Sequence, residues 1–225
     1  MILKVIAHIY TDFPTKFGIP RQSGIIGSLQ GRIVFEPEYR NPEAIRGLDE
    51  FSHLWLIWEF SEAKRDTWSA TVRPPRLGGN TRKGVFATRS PFRPNPIGLS
   101  SVKLDHIEMD HKLGPVLHVS GIDLMDGTPI YDIKPYIAYT DSHPDAISGF
   151  ATKPAEYLLE VEFPKDLILM VPERQRESLM AVLAHDPRPQ YQDDPDRVYG
   201  LAFGNMEVKF KVMQKTLVVQ DLKII

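Results

Sequence analysis

The run HLWLIWEF, from His53 to Phe60, decides how the rest of the chain is read. It is dense in aromatic and aliphatic side chains and too short for a core helix, so it predicts a strand buried on both faces. The same texture extends in both directions. Ile2–Tyr10 and Arg32–Phe35 precede it, and Gly84–Thr88, Ile97–Ile107, Val116–Leu124 and Thr128–Tyr139 follow, each bounded by Gly, Pro or Asp-Gly. Asp126-Gly127, between two such runs, predicts a tight hairpin turn. Helix signals are sparse: Asn41-Pro42-Glu43 reads as an N-cap with proline at the first position, and Gly47 ends that short helix. Many short strands without regularly interleaved helices argue for an antiparallel barrel or sandwich and against a doubly wound sheet.

After about Asp141 the pattern changes. A loop rich in Pro, Gly, Ser and Asp covers Ser142–Lys153. A strand is expected within Glu156–Phe163, a helix over Pro172–His185, and two last strands near Met206–Val212 and Thr216–Gln220. The expected organisation is a β domain over residues 1–141 and a small α+β subdomain over 142–225.

No apolar run approaches the length of a membrane helix, and the start lacks the pattern of an export signal, so the expected compartment is the cytoplasm. With no cysteine, disulfides, thiolate metal sites and a cysteine nucleophile are excluded. The seven histidines have no carboxylates at ligand spacing, and no metal site is expected. Neither a phosphate-binding glycine loop nor a nucleophile-elbow motif is present.

The net charge of −2 conceals an uneven distribution. Thr67–Leu104 carries Arg73, Arg76, Arg82, Lys83, Arg89, Arg93 and Lys103 and no acidic residue, whereas Asp105–Gly149 is strongly acidic. Such a strip either faces a polyanion or pairs with the acidic segment in the fold. The richest part, RPPRLGGNTRKGVFATRSPFRPNPIG at Arg73–Gly98, holds five prolines and four glycines. It is a stiff loop displaying arginines, whose planar forks suit phosphates, carboxylates and nucleobases. GIDLMDGTPIYDIKPY at Gly121–Tyr136 offers aspartates to an ammonium, ribose hydroxyls or an exocyclic amine, or simply caps its own turn. FGIPRQSG at Phe17–Gly24 presents Arg21 and Gln22. In DPRPQY at Asp186–Tyr191, Arg188 and Tyr191 could meet a phosphate and a base, or form a rigid turn.

IPRQSG, FSHLWLIWEF, the arginine loop, DLMDGTPIYDIKPY and AHDPRPQY, in this order, resemble the TsaA-like family of tRNA methyltransferases across essentially the whole chain. The resemblance implies a mainly β, non-Rossmann antiparallel barrel that binds S-adenosylmethionine. It further implies a homodimer with the cofactor at or near the interface, and methylation of N6 of threonylcarbamoyladenosine 37 in the anticodon loop of threonine tRNA. Carried onto matching positions, the cofactor contacts are Pro20, Arg21 and Gln22; Phe60 and Ser61; Arg89 and Leu99; and Asp123, Leu124, Met125 and Asp126. Arg89 suits the methionine carboxylate and Asp123 or Asp126 the amino group or ribose.

On that basis Asp126 is the expected proton acceptor or orienting carboxylate, with Lys134 and Tyr136 framing the substrate. Arg73, Arg76, Arg82, Arg93 and Arg188 are the expected contacts to tRNA phosphates. Two other readings compete: a non-catalytic RNA-binding barrel, and a methyltransferase acting on a substrate other than RNA.

Overall fold

The structure is a computed structural model that describes residues 2–63, 67–74, 77, 80–151, 157–188 and 194–225. Arg76 and Tyr191, both expected to meet RNA, lie outside the described residues.

Six antiparallel strands close into a barrel in the order β1, β2, β7, β6, β3, β8: Ala7–Thr11, Gln30–Phe35, Gly114–Ser120, Ile97–Asp110, His53–Glu59 and Thr128–Pro135. Side chains alternate along a strand, so each strand sends every second residue inward. Ile9, Ile33, Leu54, Leu56, Val102, Leu117 and Ile130 fill the interior and are fully buried. The HLWLIWEF run obeys the same rule. Leu54, Leu56 and Trp58 point in, while Trp55 and Ile57 are only partly covered, so the strand has one buried face and not two.

Three further expectations change. Asp126-Gly127 does not join a hairpin, because β7 and β8 are not neighbours: β7 pairs with β2 and β6, and β8 with β1 and β3. The turn still needs Gly127, whose φ is +72°. Gly84–Thr88 supplies only a two-residue strand, β5 at Lys83–Gly84, paired with β4 at Thr71–Val72, before a 3₁₀ turn at Val85–Ala87. The last strand of the barrel stops at Pro135, and the chain then enters a helical turn, α1 at Ala138–Asp141. The Asp141 carboxylate closes it by accepting from Ile137 N–H at 2.8 Å and from Trp55 Nε1 at 3.0 Å.

The expected short helix near Asn41 is a 3₁₀ turn, Pro42–Ile45, and the Asn41 side chain accepts from Glu43 N–H as a cap should. The second half contains a four-stranded sheet in the order β10, β11, β12, β9: Tyr199–Phe203, Met206–Met213, Thr216–Ile224 and Glu160–Glu162. Helices α2 (Lys165–Met170) and α3 (Glu173–Ala184) accompany it.

The two halves share one hydrophobic core. Phe13 meets Phe203 edge to face at 5.4 Å. Polar links reinforce the contact: Gln175 Nε2 donates to Asp12 Oδ1 at 2.6 Å, Ser178 Oγ to Ser28 O at 2.7 Å, and Gly204 N–H to Asp12 O at 2.7 Å.

Candidate active site

One end of the barrel, where β3 and β6 meet the first loop, opens into a cavity of 470 Å³. That volume suits a cofactor-sized ligand. Its floor is built by a register change. Ile57 pairs with Asp132 but Trp58 pairs with Ile130, so Tyr131 is bulged out of the β3–β8 ladder. The Trp58 indole turns inward over Gly98, packs at 4.2 Å against Phe60 with the ring planes tilted by 57°, and donates from Nε1 to Ser100 Oγ at 2.9 Å. Ser100 Oγ in turn donates to Asp123 Oδ1 at 2.6 Å. A buried indole thus fixes a serine, which fixes a carboxylate at the cavity.

Burial raises the Asp123 pKa above the ordinary aspartate value. The Ser100 hydroxyl, the Ser23 backbone and the Arg89 charge oppose that rise. Across the cavity, Arg89 donates to Gln22 Oε1, joining the arginine loop to the IPRQSG loop. Glu59 is hydrogen-bonded with Tyr131, whose hydroxyl pKa is pushed up to about 12 by burial and by that carboxylate, so the phenol remains a donor.

Of the residues expected at a cofactor site, Pro20, Arg21, Gln22, Phe60, Ser61, Arg89, Leu99, Asp123 and Met125 all line this cavity. Two do not. Leu124 is buried in the core, and its carbonyl accepts from Thr11 Oγ1. The Asp126 carboxylate accepts from Thr11 N–H at 2.9 Å and faces a separate groove with Tyr10, Arg32 and Arg174. It ties the loop before β8 to β1 and does not reach the cavity.

Lys134 and Tyr136 also stand apart. Lys134 pairs with Trp55 and bridges to Asp132 at 3.0 Å, and Tyr136 packs on Trp55 at 5.5 Å. From Ile130, beside the cavity, to Tyr136 the chain runs roughly 20 Å along its strand direction. The sequence reading missed Lys16, Trp58, Glu59 and Gly98, which all line the cavity. Trp58 and Glu59 were within the quoted run; Trp58 continues the inward alternation of Leu54 and Leu56, and only the closed barrel shows that the end of β3 borders the cavity.

A larger groove of 1440 Å³ adjoins the cavity and shares Arg21, Gln22, Arg89 and Pro91 with it. Arg73 and Arg82 line it as well, and among the described residues no acidic side chain does. The other two described arginines expected to touch RNA are engaged internally. Arg93 donates from Nη2 to the carbonyls of Thr88 and Val85 at 2.7 and 3.1 Å, bracing its own loop. Arg188 is largely buried and makes a two-pronged pair with Asp186 at 2.8 and 2.9 Å. Among the described residues no three His, Asp or Glu side chains gather as a metal site would require. No helix of the described chain is long and apolar enough to cross a membrane.

An antiparallel barrel with a cavity that presents an arginine and a carboxylate, beside an arginine-lined groove, is not a Rossmann-type cofactor fold. The profile of the tRNA-methyltransferase O N-terminal domain matches residues 8–142, and that of the TrmO C-terminal domain residues 156–225. The chain is 39% identical to a tRNA (adenine(37)-N6)-methyltransferase of Escherichia coli, over 91% of this chain and 90% of that one. It is 40% identical to a putative S-adenosylmethionine-dependent methyltransferase, RcsF, of Pseudomonas aeruginosa, over 95% and 93% of the two chains. The crystal structure of TrmO from Pseudomonas aeruginosa matches with a TM-score of 0.79 at 32% identity, covering 99% of this chain and 98% of that one. The chain belongs to the tRNA-methyltransferase O family.

Proposed function

We propose that this protein transfers the methyl group of S-adenosylmethionine to N6 of adenosine 37 in tRNA. The observation that carries the reading is the joined pair of spaces: a cofactor-sized cavity opening, past Arg89, into an arginine groove that, among the described residues, no acidic side chain lines.

The cavity's chemistry fits the donor. Arg89, held by Gln22, suits a carboxylate; Asp123 suits an ammonium or ribose hydroxyls; Phe60, Ile97, Leu99 and Met125 offer apolar surface. When bound, the sulfonium group supplies an electrophilic methyl.

The remaining work falls to the protein. The N6 lone pair is delocalised into the purine, so the groove must hold that nitrogen in line with the methyl, and a base must accept its proton. Asp126 lies outside the cavity; of the carboxylates that line it, Glu59, Glu62 and Asp123, we assign this step to Glu59, which Tyr131 holds in place. Tyr131, its hydroxyl pKa pushed up to about 12 by burial and by that carboxylate, is hydrogen-bonded with Glu59 and orients it.

The anticodon loop displays unpaired bases, so adenosine 37 can enter without opening a duplex. We assign the threonylcarbamoylated adenosine of threonine tRNA as the target, as the family resemblance implies, and the groove has room for a modified base. A homodimer that covers the cavity is supported by Leu99, which lines it while 54% exposed. The barrel over residues 1–141 would carry the chemistry, with 142–225 as its companion subdomain.

The test is direct. Purified protein is incubated with methyl-labelled S-adenosylmethionine and tRNA lacking this modification, and the labelled nucleoside is mapped. Label on N6 at position 37 is expected. Cofactor binding without transfer to any RNA would favour a different substrate, and no cofactor binding would leave only an RNA-binding barrel.

A further inference from the structure

Phe86 lines the arginine groove and carries Trp68 against its ring, a pair that the assigned roles leave unexplained. Their rings stack at 6.1 Å with 27° between planes, yet Trp68 is 51% and Phe86 74% exposed. Exposed aromatic pairs forgo the burial that normally stabilises such side chains and mark binding surfaces.

The backbone that holds them is organised. Trp68 leads into β4 and Phe86 follows β5, and the two strands pair through Thr71 with Gly84 and Val72 with Lys83. Val85 N–H donates to Ala70 O at 3.0 Å, and the Val85 side chain is buried. Arg82 Nη1 donates to Thr71 Oγ1 at 3.1 Å, and Arg93 braces the far side through the Val85 carbonyl. The rings therefore stand on a short, cross-linked hairpin, which lowers the ordering cost of a ligand seated there.

The surroundings choose the ligand. Phe86, Phe92 and Phe150 line the groove together with Arg73 and Arg82, and no acidic side chain joins them among the described residues. Cations interleaved with aromatic faces suit an unpaired nucleobase with its phosphates, because every base has a π face and every linkage a negative charge.

We propose that Trp68 and Phe86 form a stacking platform for an unpaired RNA base next to the target adenosine, holding the strand while N6 enters the cavity. This rests on the methyltransferase reading above.

The experiment measures the affinity of a short fluorescein-labelled oligoadenylate across a salt series, alongside calorimetry with S-adenosylmethionine. Trp68→Ala and Phe86→Ala should each weaken the oligonucleotide about ten-fold at every salt concentration and leave the slope of log affinity against log salt unchanged. Arg82→Ala should instead flatten that slope. Trp68→Phe should recover most of the loss, and S-adenosylmethionine binding should be the same in all variants, which excludes simple misfolding. On full tRNA the two alanine variants should raise KM with kcat nearly unchanged.

Unaltered oligonucleotide affinity in both aromatic variants would overturn the platform and leave the functional reading intact. So would equal wild-type affinity for an abasic ribose-phosphate oligomer. Wild-type protein that binds no RNA and methylates no tRNA would instead bring down the functional reading itself.

Discussion

Trp58 occupies the space above Gly98: a Cβ at position 98 would fall 2.2 Å from Cε2 and 2.4 Å from Cζ2 of the indole. The two residues are cross-strand partners, so the glycine lets a large ring lie flat inside the barrel wall. The indole then reaches Ser100, and Ser100 reaches Asp123.

Gly98→Ala should therefore act at a distance. The methyl forces the ring aside at an overpacking cost of about 1–3 kcal/mol, seen as a lower Tm. The Ser100–Asp123 link loses its anchor, and S-adenosylmethionine binding measured by calorimetry should weaken. Ser100→Ala should weaken binding too, with no comparable packing loss. Unchanged binding in both variants would show that the indole does not position Asp123.

Asp123 gives a pH prediction. Its folded pKa lies above the ordinary value, so the folded state holds the proton more tightly than the unfolded one. Its contribution to stability is then greatest below the unfolded carboxylate pKa and is lost as pH rises through the folded value. Asp123→Asn keeps an acceptor for Ser100 and removes the buried charge. Its Tm at neutral pH should equal or exceed the wild-type value, while donor affinity falls about ten-fold or more. A lower Tm for the asparagine variant would contradict the burial argument.

Two carboxylates can be told apart by turnover. Glu59→Gln should bind the donor and lose methylation, with Tyr131→Phe showing a smaller loss. Asp126→Asn should methylate normally, since an amide oxygen can still accept from Thr11 N–H. Asp126→Ala should lower stability by about 1 kcal/mol through the broken link to β1. Inactivity of Asp126→Asn with donor binding intact would return the chemistry to Asp126.

Arg93 and Arg73 make a paired test of the groove. Arg93→Ala removes hydrogen bonds to two carbonyls and should cost about 1–3 kcal/mol of stability. Arg73→Ala should be thermally silent and should reduce the salt dependence of tRNA affinity. An equal salt effect for both variants would mean that Arg93 also faces the RNA.

Much of the barrel was legible because local pattern and final structure agree: β-branched and aromatic runs became β2 and β3 close to their expected limits, and β6 and β8 begin where expected though β6 ends later and β8 sooner. What failed was non-local. Asp126-Gly127 carries the chemistry of a hairpin turn, but strand order decides whether a turn joins neighbours, and β7 already has two other partners. Strand β10, with the composition YGLAF, follows a turn-rich stretch and carries only a short signal. At the site, residue type was informative and direction was not. Arg93 and Arg188 look like phosphate ligands until their guanidinium groups are found on Thr88 O and Asp186. Glu59 was hidden because nothing in the composition of the run says which end of β3 borders the cavity.

The contact of Phe13 with Phe203, and of Gln175 with Asp12, has a consequence for how such a chain can be divided. Severing it after the barrel would strip the lid from Phe13 and leave Asp12 facing water beside bare hydrocarbon. The first portion on its own should then be sticky and poorly soluble. Any shorter version has to supply a replacement cover for that patch, at a seam remote from the cavity.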